Sequence, residues 1–330
     1  MKVINKKDDF SQIRPGCVLT IGNFDGVHTG HTEILRTAHR IAHQRATQVV
    51  VMTFEPHPVA ILFPERAPKV LTPLQQKTCL LAPYADDCVI VLEDNKALLG
   101  LSAGEFVEQF LMQTIRPSVI VEGHDFHFGA GRSGNVDTLR AFGRQYGFDV
   151  HIIEQHKITF STGQSLRVSS TIIRYMLESG HVSDTTVALG RPYRLMGQVV
   201  PGRGKGQEIG FPTLNMAIPE QVIPTEGVYA GTVELASDAT ALMETQQRLP
   251  AVFSIGQART FGDSIPLLVE AHLLETSAEK IRGSWMAMDF VQHLRSQHRY
   301  SNVQDLVAQI AKDCDQARRV LQEGQDGSSV

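Results

Sequence analysis

The stretch Val18-Leu19-Thr20-Ile21-Gly22-Asn23-Phe24-Asp25-Gly26-Val27-His28-Thr29-Gly30-His31 limits the fold more than any other part of the chain. Val18 to Ile21 are apolar or β-branched and predict a buried parallel strand. Gly22 and Gly26 allow a tight turn. From Thr32 the apolar residues Ile34, Leu35, Ala38, Ile41 and Ala42 recur at helical spacing. His28 and His31 are therefore expected at or near a helix N-terminus, beyond the carboxyl end of a strand, where open parallel sheets take their ligands. Backbone N–H groups and the positive end of the helix dipole favour a phosphate there. An imidazolium adds hydrogen bonds to phosphate oxygens and offsets charge that builds up in phosphoryl chemistry. The stretch has no Lys after its glycines and is not a G-x-x-x-x-G-K-[ST] loop, nor is it G-x-G-x-x-G. A zinc site is not expected, because no cysteine or third histidine lies nearby at ligand spacing.

The rest of the first half continues the strand–helix alternation. Gln48 to Phe54, Asp87 to Leu92, Pro117 to Val121 and Asp149 to Ile153 predict strands, with a further short one near Ser165 to Val168. Pro73 to Leu81, a segment opened by the Ser102/Glu105 capping box, and Val136 to Tyr146 predict helices. The alternation is the signature of a doubly wound parallel sheet. After the second strand, Glu55-Pro56-His57-Pro58 is held extended by its prolines. The run Glu122-Gly123-His124-Asp125-Phe126-His127-Phe128-Gly129-Ala130-Gly131-Arg132-Ser133-Gly134 reads as a loop with Asp125 and Arg132 as charged members. Ser169-Ser170-Thr171-Ile172-Ile173-Arg174 opens another helix, where hydroxyls, N–H groups and Arg174 suit a polyphosphate, although helix capping alone would also explain the Ser and Thr.

A helix over His181 to Leu189 ends at Gly190-Arg191-Pro192, and the pattern then changes. Arg194 to Val200, Gly227 to Leu235, Leu249 to Ile255, Leu267 to Leu274 and Trp285 to Phe290 predict short strands. Asn302 to Leu321 predicts a closing helix with Val303, Leu306, Val307, Ile310, Cys314 and Ala317 on one face. The expected fold class is α/β: an N-terminal doubly wound parallel sheet over residues 1–186, then a small antiparallel β-barrel with a closing helix over residues 187–330. Gly202, Gly204 and Gly206 allow backbone N–H groups to approach phosphates, and Arg203 and Lys205 add positive charge. In a strand over Leu267 to Leu274, Glu270 shares a face with His272, opposite Val269 and Ala271.

Composition narrows the function classes. With 42% hydrophobic and 20% charged residues in 330, the chain reads as a globular protein of two ordinary domains. A net charge of −4 without a basic stripe speaks against nucleic acid as a partner. The N-terminal MKVINKKDDFSQ has charge and no apolar core, so no secretory signal is expected, and no run is long and apolar enough to predict a membrane span. Cys17, Cys79, Cys88 and Cys314 are scattered without C-x-x-C, the pattern of buried thiols in a reducing cytoplasm.

Six motifs carry a family resemblance that covers nearly the whole chain. Gly-x-Phe-Asp-Gly-x-His-x-Gly-His resembles the HxGH nucleotidylyltransferases, and within them the adenylyltransferase half of the bacterial bifunctional riboflavin kinase/FAD synthetases. Glu55-Pro56-His57-Pro58 after Phe54 is similar to that family's Phe-x-Pro-His-Pro, Asp125-Phe126-His127-Phe128-Gly129 to its Asp-Phe-x-Phe-Gly, and Ser169 to Arg174 to its Ser-Ser-Thr-x-Ile-Arg. In the second half, Gly210-Phe211-Pro212-Thr213-Leu214-Asn215 resembles the riboflavin kinase signature and Glu270-Ala271-His272-Leu273-Leu274 its Glu-x-His-Leu-Leu. The resemblance implies two reactions: riboflavin plus ATP giving FMN and ADP, then FMN plus ATP giving FAD and pyrophosphate, both with Mg²⁺. It implies His28 and His31 as catalytic in the second reaction. ATP or phosphate contacts are implied at Gly22, Phe24, Asp25, Gly30, Ser169, Ser170, Thr171 and Arg174, and in the barrel at Gly202, Gly204, Lys205 and Gly206. Flavin contacts are implied at Asp125, Phe126, Phe128 and Arg132, Mg²⁺ ligands at Thr213 and Asn215, and a base at Glu270 for the ribityl 5′-hydroxyl. The implied partners are small molecules only, for a cytoplasmic monomer or weak homo-oligomer.

The chain departs from the family at Ser254-Ile255-Gly256-Gln257-Ala258-Arg259-Thr260-Phe261, where Asn-Ile-Gly-x-x-Pro-Thr-Phe is common. It departs again at Lys280-Ile281-Arg282-Gly283, for Asp-Leu-Tyr-Gly, and at Gly206-Gln207, for Gly-Arg. These changes motivate an alternative, an FAD synthetase whose kinase domain has decayed into a flavin-binding regulator. A non-enzymatic nucleotide- or flavin-binding module is a more distant one.

Overall fold

The structure is a computed structural model that describes residues 2–4, 7–85, 88–93, 96–161, 163–257, 267–275 and 284–326. The chain divides into two compact units, Met1–Thr159 with Ser165–Ser169, and Phe160–Gln164 with Ser170–Val330.

The first unit holds a six-stranded parallel sheet: β1 (Lys2–Ile4), β2 (Val18–Ile21), β3 (Val49–Phe54), β4 (Cys88–Leu92), β5 (Val119–Gly123) and, after a hairpin of β6 (His127–Phe128) with β7 (Gly134–Asn135), β8 (Asp149–Ile153). Its order is β1-β4-β3-β2-β5-β8, so the winding reverses between β2 and β5. Helices α1 (Thr29–Gln44), α2 (Pro58–Leu62), α3 (Leu74–Leu81), α4 (Lys96–Leu99), α5 (Ala103–Glu105) and α6 (Val136–Tyr146) connect the strands. The strands are apolar on both faces because both are covered. Val18, Val51, Val91 and Val121 pack against Leu35, Ala38 and Ile41 of α1, while Leu19, Met52, Ile90 and Ile120 meet Phe106, Phe110 and Leu139 on the other side. The Ser102/Glu105 capping box forms, and the helix continues as a wider π-type coil over Phe106–Ile115. The strand near Ser165 leaves the main sheet: β9 (Lys157–Thr159) and β10 (Ser165–Arg167) pair only with each other.

The second unit begins with α7 (Ser170–Glu178) and α8 (Val182–Leu189), which pack with the barrel rather than with the sheet. Then β11 (Tyr193–Val200), α9 (Lys205–Glu208), β12 (Leu214–Met216), β13 (Gly227–Ala236), β14 (Leu249–Gln257), β15 (Leu267–Leu273) and β16 (Trp285–Arg295) follow. The six strands close in the order β11-β12-β15-β14-β13-β16. Five match the expected strands. The sixth, β12, lies inside the Pro-Thr-x-Asn motif, too short to show alternation. The lumen is aromatic: the Phe290 ring meets Tyr193, Tyr229 and Phe253 at 6.4, 5.3 and 5.0 Å between centroids. The closing helix α10 (Val303–Asp326) covers Val228, Ala230 and Val252 on the outer wall with Ile310, Cys314 and Ala317. Its apolar face begins later than expected, since Val303 is exposed. Asp313 is buried and takes Arg295 at 2.9 and 2.7 Å, pinning α10 to β16. Three cysteines are buried as expected; Cys79 is exposed, on the outward side of α3.

Candidate active sites

In the first unit, β2 runs through the seven residues Gly22 to His28 into α1, and His28 is the residue just before the helix. Its Nδ1 accepts the His31 N–H at 3.2 Å, so in the neutral ring the proton sits on Nε2. The two imidazoles stack with centroids 3.5 Å apart, and Phe24 meets His31 edge-on at 5.2 Å. The residue between them must be small: a Cβ on Gly30 would lie 3.3 Å from the His28 ring. His28 is 6% exposed. Burial first, then the neighbouring His31, hold its pKa well below the ordinary histidine value, against an opposing pull from Asp125. Burial thus favours the neutral ring, with its hydrogen on Nε2. The turn also differs from expectation. Its left-handed residues are Phe24, Gly26 and Val27, at φ 46°, 89° and 39°, whereas Gly22 serves to clear the Phe24 ring. A β-branched residue at such a φ marks stored strain held by its surroundings.

Asp25 supplies part of that hold. Its carboxylate is buried and accepts the Leu71 and Thr72 N–H groups at 2.9 and 3.0 Å, while Thr72 Oγ1 accepts the Gly26 N–H at 3.0 Å. Asp25 therefore faces the protein and anchors the turn. The Asn23 amide and His57 Nε2 lie 3.0 Å apart, joining the first two motifs, and His57 caps α2 through the Val59 N–H at 3.1 Å. The buried Lys77 ammonium donates to the Phe54 carbonyl at 3.3 Å and Glu55 Oε2 at 3.2 Å, bracing the end of β3. In the loop after β5, Asp125 is ion-paired with Arg167, a residue no sequence pattern marked. Phe126 stays half-exposed and stacks on Phe128 at 5.6 Å. Phe128 itself belongs to the core, against Phe106. Arg132 is exposed and reaches His127 Nδ1 at 3.1 Å. Ser169 lies in the first unit, whereas Ser170, Thr171 and Arg174 lie on α7 in the second.

In the barrel the chemistry sits on the outer wall, because lumen and outer residues alternate along each strand. Val269, Ala271 and Leu273 are buried while Glu270 and His272 face outward, as the strand spacing requires. Register then joins distant residues: Asn215 of β12 and Ser254 of β14 flank Glu270 of β15 on its two sides. Thr213 Oγ1 donates to Glu270 Oε1 at 3.4 Å. Partial burial raises the Glu270 carboxyl above its usual range, offset in part by the Thr213 hydrogen bond and the charge of Arg203. A Cβ on Gly202 would overlap the Asn215 amide, which explains the glycine at the start of the loop. Lys205 opens the short helix α9, Gly204 precedes it at φ 75°, and the Gly206 carbonyl accepts the Phe211 N–H at 2.8 Å. His272 Nδ1 meets the Pro212 carbonyl at 2.9 Å, fixing the Pro-Thr turn to β15. Ser254 Oγ accepts the Gln297 amide at 3.0 Å. The departures at Ala258 to Phe261 and Lys280 to Gly283 lie outside the described residues.

A helix start over a parallel sheet and a carboxylate on a closed barrel, in one chain, are the features a two-domain enzyme of nucleotidyl and phosphoryl transfer calls for. The comparisons give the particular family. A model of FAD synthetase matches residues 10–172, and one of riboflavin kinase matches residues 189–321. Bifunctional riboflavin kinase/FMN adenylyltransferases of Escherichia coli and Haemophilus influenzae are 35% and 33% identical, covering 95% and 96% of this chain and 96% and 98% of theirs. The chain belongs to the bifunctional riboflavin kinase/FMN adenylyltransferase family. A crystal structure described as a macrolide-efflux protein from Streptococcus pneumoniae shares the architecture, with TM-score 0.81 and 25% identity over 96% of this chain and 98% of that one. Among the described residues no helix is long and apolar enough to cross a membrane.

Proposed function

We propose that the chain makes FAD from riboflavin in two ATP-dependent steps, with residues 187–330 carrying the first and residues 1–186 the second. The family and its two matched models support the two activities. The observation that carries the residue assignment is the row Asn215–Glu270–Ser254 with Thr213 bonded to Glu270.

In the first step Glu270 takes the proton of the ribityl 5′-hydroxyl, whose oxygen attacks the γ-phosphorus of ATP and releases ADP. A carboxyl raised by burial is a stronger base than an exposed one, and the bond from Thr213 fixes which oxygen faces the flavin. Thr213 and Asn215 are the candidate Mg²⁺ ligands. Thr213 spends its hydrogen on Glu270 and keeps its oxygen lone pairs; the Asn215 amide lies against the Gly202 cradle. Among the described residues no cluster of three His, Cys, Asp or Glu forms a cage. Two neutral oxygens beside phosphates fit Mg²⁺, which keeps waters and uses few protein ligands. Bound there, the ion would neutralise charge on the transferring phosphoryl group. Gly202, Gly204, Lys205 and Gly206 line the ATP side.

In the second step a phosphate oxygen of FMN attacks the α-phosphorus of ATP and pyrophosphate leaves. That nucleophile is already ionised and needs no base. His28 donates from Nε2 to the phosphate charge, His31 stacks behind it, and the start of α1 adds its N–H groups. Gly22, Phe24, Asp25 and Gly30 act by shaping and anchoring this turn. Asp125, Phe126 and Arg132 are the flavin-side candidates, with Phe128 supporting Phe126 from the core. Ser169, Ser170, Thr171 and Arg174 remain phosphate candidates at the start of a helix. Four free cysteines fit a reducing compartment such as the cytoplasm.

The test is one incubation of the full chain with riboflavin, ATP and Mg²⁺, and a second with FMN in place of riboflavin, with flavins separated by chromatography. FAD from both supports the proposal. FAD from FMN alone, with no FMN made from riboflavin, means that the barrel is a decayed kinase. Omitting Mg²⁺ with excess chelator is expected to stop both reactions.

A further inference from the structure

At the winding reversal of the parallel sheet, β2 and β5 part early. β2 stays paired with β3 as far as Ile21 against Met52, and β5 with β8 as far as Gly123 against Ile153. Between β2 and β5 only Val18 with Val119 and Leu19 with Ile120 face each other. The Ile21 N–H is buried beyond that point and needs an acceptor. A side-chain carboxyl group provides it: Glu122 Oε1 lies 2.6 Å from the Ile21 nitrogen. Glu122 ends the apolar strand run and is 3% exposed, a depth at which a carboxylate is rare. Burial holds its carboxyl well above the usual range, the Ile21 N–H works against this, and the negative Asp125 adds to it. The crevice is also tight beside it, since a Cβ on Gly123 would lie 3.2 Å from Asp125 Oδ1 and 3.3 Å from Ile34 Cδ1.

The two walls of this crevice carry different halves of the chemistry. The turn after β2 leads to His28 and His31; the loop after β5 carries Asp125 and Phe126. We propose that Glu122 is a positioning residue for adenylyl transfer, whose side chain replaces a β5 carbonyl as acceptor for Ile21 and so holds the nucleotide wall and the flavin wall at the spacing the two substrates need. The inference rests on the assignment of His28 and His31 to adenylyl transfer. In-line attack tolerates little change in that spacing, because the reacting atoms must be held about 3–3.5 Å apart. The role depends on the reach of the acceptor and not on its charge. Glutamine keeps that reach without an ionisable group; aspartate keeps the carboxyl group one methylene short.

The test compares Glu122→Gln, Glu122→Asp and His28→Ala in the full chain. FAD formation from FMN is measured at varied FMN and ATP, and FMN formation from riboflavin is the internal control. Glu122→Gln is expected to stay within about twofold of the parent, and Glu122→Asp to lose about tenfold to a hundredfold in kcat with KM little changed. The kinase rate should be the same in all three. Glu122→Asp equal to or faster than Glu122→Gln overturns the inference, as does a loss carried by KM alone. Loss in His28→Ala beside an active Glu122→Asp rejects Glu122 and leaves the site assignment standing; an active His28→Ala rejects the assignment itself.

Discussion

The two candidate sites reach their geometry from opposite kinds of sequence information. His28, Gly30 and His31 lie within four residues, and a strand, a turn anchored through Asp25 and a helix start stack the two rings. Glu270, Asn215 and Ser254 come from three strands, and only the register of a closed barrel puts them in one row. Burial acts on both, always against charge. It lowers the His28 pKa and raises that of the Glu270 carboxyl. A local motif thus carries most of its own geometry and needs one anchor, Asp25 on Leu71 and Thr72, whereas an assembled site depends on every strand that sets its register.

The comparison breaks most sharply at Glu270. Glu270→Gln is expected to cut FMN formation by about 10²- to 10⁴-fold while FAD is still made from supplied FMN. Retained kinase turnover would remove the base from the barrel site. His28→Ala or His31→Ala should show the mirror image, with FAD formation down by about 10²- to 10³-fold and riboflavin phosphorylation unchanged. Loss of both activities in a folded variant would contradict separate sites.

Glycine substitutions sharpen the contrast. In Gly202→Ala the new methyl overlaps the Asn215 amide, so kinase turnover and Mg²⁺ dependence should worsen by about tenfold to a hundredfold. In Gly30→Ala the His28 ring must yield only a few tenths of an ångström, and FAD formation should fall by less than about tenfold. The reverse ranking, measured as kcat for each reaction, would mean that the local motif is the more rigid of the two.

The smallest effect is on stability. His28 resists protonation when folded but takes a proton when unfolded below pH about 6.5, so the unfolded state binds more protons there. Stability from this group is full above that pH and is lost as pH falls below it, by at most about 1.4 kcal/mol per pH unit. Denaturation of the parent and of His28→Asn between pH 7.5 and 5.5 should show a shallower slope in the variant; equal slopes would mean that His28 is protonated in the folded chain.

Much of both units was legible because their strands alternate with helices or turns at regular spacing. β3, β4, β5 and β8 of the sheet, and five barrel strands, lie within a few residues of where periodicity puts them. β12 escaped because three residues carry no period, and β10 was placed in strand but not in its separate hairpin. In the candidate sites the residue types were readable and their directions were not. Asp25 and Phe128 sit inside motifs expected to contact phosphate and flavin, yet one anchors the turn to Leu71 and Thr72 and the other fills the core. Nothing in the sequence paired Asp125 with Arg167, or Asn23 with His57, because those contacts join segments that are far apart in the chain.

The sequence by itself determined most of the longer strands and helices, that His28 lies at a helix start, and that Glu270 points away from Val269 and Ala271. These are consequences of backbone period and local sterics, which act over a few residues. Only the tertiary structure decided that Asn215 and Ser254 flank Glu270, that Glu122 takes the Ile21 N–H, and that burial lowers the His28 pKa. Register and burial come from contacts between distant segments, and it is the low dielectric and the missing water at those contacts that set the charge and the aim of each group.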